Sequence, residues 1–139
     1  MPPEAPHPPL PSASPFLASL GAQVVASAAG RAELRLAPQP AHANTWGAVH
    51  GGVLMTLLDV AMSFAARSTD AHAQGAVTVD MHTQFMAPAS GPLRALGHCA
   101  QASRTLAFCE AQILDAQGEV VARAQGTFKL LRRADFLRR

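Results

Sequence analysis

Between Gly52 and about Arg67 apolar side chains cover most of the circumference of a helix, and from Val53 to Ala66 only Thr56, Asp59 and Ser63 interrupt them. No proline falls in this run, so the spacing predicts one long helix wrapped by other structure. The three interruptions are three and four residues apart and share one stripe of it. Elsewhere the period is two. Ala32, Leu34 and Leu36 alternate with Arg31, Glu33 and Arg35, following a short segment over 22–29 that ends at Gly30. Past the helix, Val77, Val79 and Met81 alternate with Thr78, Asp80 and His82, and segments 92–102, 106–115 and 119–131 follow at hairpin spacing. Residues 38–50 carry Pro38, Pro40, Asn44 and Gly47, too many breakers for either regular element. Strands, one buried helix and four more strands predict an α+β layout: a curved antiparallel sheet wrapped around one long central helix. If the turn over 103–105 centres on Arg104, Cys99 and Cys109 become opposed neighbours on adjacent strands, expected as reduced packing residues.

Composition narrows this picture. With 139 residues, 49% of them hydrophobic, the chain is long enough for one domain with a real core. Seven of the eleven prolines precede residue 16, so 1–16 is expected as a Pro-rich flexible segment and 17–139 as the single domain. The start lacks the basic and continuous apolar regions of a secretory signal, and a cytoplasmic location is expected. A net charge of +2, spread along the chain apart from a basic end, leaves no footprint for nucleic acid. The most apolar run falls short of the ~20 residues that span a bilayer, so no membrane partner is expected. Metal-ligand types do not cluster beyond the pair Asp80 and His82, and no metal or cofactor is expected. Asp80, His82 and His98 read as exposed polar faces of strands.

The chemistry centres on Asp59. An unpaired ionised carboxylate in apolar surroundings is costly, so such a residue is neutralised, partnered or kept for reaction. A duller account bonds it to Thr56 or Ser63. Around it stand Asn44, then His50-Gly51 six residues on, Gly52, Asp59 eight residues beyond Gly51, and Thr78 on the next strand. This pattern resembles the site of the hotdog-fold acyl-CoA thioesterases, with the phenylacetate-degradation (PaaI-like) type the nearest subgroup and the 4-hydroxybenzoyl-CoA type related. The resemblance spans roughly residues 20–130 and implies hydrolysis of an acyl- or aryl-CoA thioester to the free acid and coenzyme A.

It also implies roles. Gly51 at the helix start would offer an amide to the developing oxyanion, where one preorganised donor contributes about 10²- to 10³-fold in rate. His50 would lie beside the thioester, Asp59 would act as general base or nucleophile, Asn44 would position water or substrate, and Thr78 would bond the attacking water. Gly52, Trp46, Met55, Leu58 and Met62 would meet substrate, and Arg67 and Arg104 are candidates for the phosphates of coenzyme A. Eight helical residues put Gly51 and Asp59 about 12 Å apart along the axis, too far to serve one carbonyl. Two antiparallel helices about a two-fold would bring Asp59 of one copy to Gly51 of another, as the resemblance also implies, giving a homodimer and a dimer of dimers. Two rivals share the fold: a regulatory protein that binds acyl-CoA without cleaving it, and an enoyl-CoA hydratase.

Overall fold

Each alternating segment is a strand, and together they form one antiparallel sheet in the computed structural model, which describes residues 14–137. In chain order the elements are α1 (Pro15–Leu20), β1 (Gln23–Ala28), β2 (Arg31–Leu36), a 3₁₀ turn (Pro40–His42), α2 (Gly51–Arg67), β3 (Gly75–Phe85), β4 (Leu93–Ala102), β5 (Leu106–Leu114), β6 (Val120–Leu131) and α3 (Arg133–Leu137). The sheet order is β1-β2-β4-β5-β6-β3. Hairpins join β4, β5 and β6, whereas β3 crosses to the far edge beside β6. The helix α2 lies against the sheet and touches strands from β1 to β3. This is the helix-in-sheet layout expected of a hotdog fold.

Burial explains why α2 stays there. Leu54, Leu57, Leu58, Ala61 and Met62 are at most 3% exposed and pack with Leu34, Ile113, Phe128 and Leu130 of the sheet. Each such leucine contributes about 1.5–3 kcal/mol by leaving water. The approach is closest at Gly97 on β4, where an added Cβ would lie within 2.6 Å of the Ala61 carbonyl carbon. A side chain there has no room.

Two irregularities are not visible in the alternation, and the first bears on the site. The β3–β6 pairing slips between Thr78 and Asp80, leaving Val79 as an extra residue. Such a bulge re-aims the side chains on either side of it. A second slip, between Cys99 and Gln101, follows the directly opposed pair Cys99 and Cys109, both buried free thiols. Burial and the adjoining Cys99 push the Cys109 thiol well above its usual range.

The N-terminal reading needs one correction. Pro15 and Phe16, expected within the Pro-rich flexible segment, open the helix α1. Proline suits the first turn because its missing N–H would have no helical partner. Ser14 caps the helix by accepting from the Leu17 N–H at 3.2 Å, and Gly21 ends it at φ 73°. The proline-dense part of the lead-in, residues 1–13, lies outside the described residues. Among the described residues, no helix is long and apolar enough to cross a membrane.

Candidate active site

The segment before α2 is a tied loop that delivers His50 to the helix start. Asn44 does most of the tying: its N–H donates to the Ala48 carbonyl at 2.7 Å, and its Oδ1 accepts from the N–H groups of Trp46 and Ala48 at 2.9 and 3.1 Å. Gly47 completes the turn at φ 84°. The His50 N–H then donates to the His42 carbonyl at 2.8 Å, and that of Val49 to Ala89 at 2.8 Å. His50 is the N-cap. Its Nδ1 accepts from the Gly52 N–H at 2.8 Å, which leaves the ring proton on Nε2, and its carbonyl accepts from Val53 at 2.9 Å.

This capping satisfies the neighbours of Gly51 and leaves Gly51 itself open. Its N–H has no acceptor among the described residues. It is the first backbone donor at the positive end of a 17-residue helix. The ring of Phe85, at the end of β3, stands 3.3–3.4 Å from where a Gly51 Cβ would be. Only a glycine leaves the space between donor and ring free. Met55 and Phe85 are exposed around this end, and Trp46 is 89% exposed in the loop before it.

Two turns further along, Asp59 is half-buried, and its partner comes from the sheet rather than from its own helix. The Thr78 hydroxyl donates to Asp59 Oδ1 at 2.5 Å. Thr56 instead donates to the Gly52 carbonyl at 2.9 Å, and Ser63 to Ala76 at 3.4 Å, so the bonding of Asp59 to Thr56 or Ser63 is not what is seen. The bulge at Val79 begins just after Thr78. Thr78, opposite the buried Phe128, therefore faces α2 while the strand beyond resumes on a new register. Asp59 and Thr78 border a cavity of about 440 Å3 between α1, α2 and β3. A separate depression of about 660 Å3 lies between strands around His82, His98, Glu110 and Arg123, and no residue of α2 lines it.

The remaining candidates divide. Gly52 and Met55 are exposed on the open side of α2, but Leu58 and Met62 are fully buried. Both belong to the core, a correction to their expected place in the substrate pocket. The Met62 methyl reaches the sheet at Gly126. Arg67 sits in the last turn of α2 and Arg104 in the β4–β5 turn, at the end of the helix opposite Gly51. Asn44 is placed to support the loop, with its side-chain oxygen already committed. Phe85 and Leu17 were missed. Counting by two from Met81 puts Phe85 on the face toward α2, a signal the sequence does carry; Leu17 had none, lying next to a proline-rich run.

Known proteins resemble this chain in sequence and fold. The family profile described as the Thioesterase superfamily matches residues 47–122. The human acyl-coenzyme A thioesterase 13 is 30% identical over 107 residues, covering 75% of this chain and 76% of that protein. Among solved structures, a conserved protein from Pseudomonas aeruginosa superposes with a TM-score of 0.80 at 30% identity, covering 86% of this chain and 95% of that one. A variant of the phenylacetic acid degradation protein PaaI from Thermus thermophilus does so with a TM-score of 0.77 at 26% identity, over 85% of this chain and 100% of that one.

Proposed function

The chain belongs to the thioesterase superfamily and is a thioester hydrolase; from that premise we propose that it cleaves acyl-coenzyme A to a free acid and coenzyme A at a site shared between two copies of itself. The observation that carries this reading is the half-buried Asp59, held by the Thr78 hydroxyl beside a cavity, on the same helix that presents an unpaired amide at Gly51.

In the proposed reaction the substrate carbonyl oxygen takes the Gly51 N–H, whose strength grows as negative charge develops. Asp59 of the other copy, oriented by Thr78, removes a proton from a water that attacks the carbonyl carbon. The C–S bond breaks, coenzyme A leaves as its thiolate, and the proton taken by Asp59 passes to that thiolate. In the variant route Asp59 attacks the carbon itself, forming an anhydride that water then opens. A single turnover in ¹⁸O-water separates the two, because only the second can leave label in the Asp59 carboxylate.

The sharing between copies is supported by the edge of the sheet. β3 is an 11-residue edge strand with Val77, Val79 and Phe85 exposed, and a long apolar edge is a template for pairing with another strand. Pairing two such edges about a two-fold sets the two α2 helices antiparallel and closes the ~12 Å gap along the axis between Gly51 and Asp59. The reading is tested by thiol release from acyl-CoA together with the mass of the protein in solution. A fully active monomer overturns the shared site, and acyl-CoA bound without thiol release overturns the hydrolase.

A further inference from the structure

The cavity beside Asp59 has a composition that bears on what it accepts. Away from the carboxylate its walls are Leu17 of α1, Val60 and Phe64 of α2 and Ala76 of β3. The polar groups in the lining are already engaged: Ser14 accepts from Leu17, Ser63 donates to Ala76, and Thr78 donates to Asp59. A ligand entering past Asp59 therefore meets aliphatic and aromatic surface and no polar side chain waiting for a partner. Its volume, about 440 Å3, lies at the lower end of the roughly 300–1,000 Å3 typical of small-molecule sites. Of the two parts of an acyl-CoA, the charged and amide-rich coenzyme gains nothing from such walls, whereas an apolar acyl group gains free energy with each buried methylene.

One wall differs from the others in how it is held. α1 has six residues, far fewer than a helix needs to persist alone. Leu17 is its one buried side chain, at 1% exposure, and Gly21 breaks the chain immediately after it. The position of α1, and with it the depth of the cavity, depends on what Leu17 touches.

We propose that α1 is the wall that selects the acyl group, with Leu17 as the specificity-determining residue for unsubstituted apolar acyl chains. This rests on the thioesterase reading above. The test is kcat/KM, by thiol release, over straight-chain acyl-CoAs from acetyl to dodecanoyl. Leu17→Ala deepens the cavity and should raise the ratio of long-chain to short-chain kcat/KM at least tenfold, the scale on which a pocket senses a few methylenes. Ala76→Leu fills the same space from β3 and should move the ratio the other way, which also decides the matter if Leu17→Ala does not fold. Folded variants with the wild-type chain-length profile overturn the wall and leave the hydrolase standing. No thiol release from any acyl-CoA by the wild type overturns both.

Discussion

The two faces of α2 are built by different rules. Toward the sheet, Leu54, Leu57, Leu58, Ala61 and Met62 are sealed at 0–3% exposure. Toward the open side, Gly52 and Met55 are exposed and Thr56, Asp59 and Ser63 are half-buried. The sealed face is specified by volume, so any apolar residue of the right shape serves it. The open face gives up packing, with a glycine pair at its start and a carboxylate at its middle, and such local departures from good helix design cluster where function is served. Substitutions on the first face should therefore be read in stability and on the second in rate.

The largest stability effect is expected at the partner of the sealed face. Gly97→Ala places a methyl within 2.6 Å of the Ala61 carbonyl carbon, and neither backbone can yield without moving α2 off the sheet. The cost should exceed about 3 kcal/mol, a large part of the ~5–15 kcal/mol that holds a domain together. Urea denaturation measures it, and a wild-type midpoint would show that helix and sheet are less closely packed than described. On the open face, Asp59→Asn keeps the shape and can still accept from Thr78. It should cost about 10²- to 10⁴-fold in kcat with the urea midpoint nearly unchanged. A folded variant with wild-type turnover removes Asp59 from the chemistry.

Two smaller effects sharpen the contrast. Gly51→Ala retains the N–H but sets a Cβ 3.3 Å from the Phe85 ring. The ring is half-exposed and can swing aside, so the fold should survive while kcat falls by roughly 10- to 10²-fold through crowding at the donor. Thr78→Val removes the hydroxyl that orients Asp59 and should lower kcat by about tenfold, the lower end of the ~1.5–3 kcal/mol that a hydrogen bond to a carboxylate contributes. An equal loss of stability in either variant would mean that these positions follow the sealed-face rule instead.

Much of this division could be read in the sequence. The helix run, the stripe of Thr56, Asp59 and Ser63, and the hairpin count that opposes Cys99 to Cys109 all depend on period alone, and the strand register agrees with that count. What the period does not contain is the depth of each residue within a face. Leu58 and Met62 adjoin the stripe in sequence, yet the curvature of the sheet covers them completely. The bulge after Thr78 adds one residue without a compositional mark, so the alternation that sets Thr78 and Met81 on opposite faces does not hold across it. α1 is legible only through its caps, Ser14 and Gly21, because its single buried contact, Leu17, is long-range. The partner of Asp59 had the same character: a hydroxyl 19 residues away, on another element.

The smallest effect concerns the far end of α2, where a charged tie replaces both packing and chemistry. The Asp70 carboxylate, just past the helix, accepts from the His72 N–H at 2.8 Å and from the Arg132 guanidinium at 2.5 Å, and Arg132 also donates to the Arg104 carbonyl at 2.8 Å. The His72 amide first, and then Arg132, hold the Asp70 carboxyl below its ordinary value of 3.8. A carboxyl with a lower pKa folded than unfolded adds stability at pH values above the unfolded pKa and loses it as acid carries the pH down through the folded one. Asp70→Asn should thus lower the melting temperature slightly at neutral pH, by the equivalent of about 1 kcal/mol for a pair near the surface. The gap to wild type should close as acid protonates the Asp70 carboxyl in the folded protein. A gap that persists in acid would mean that the tie acts through shape rather than charge, and the far end of α2 would then obey the same packing rule as its sealed face.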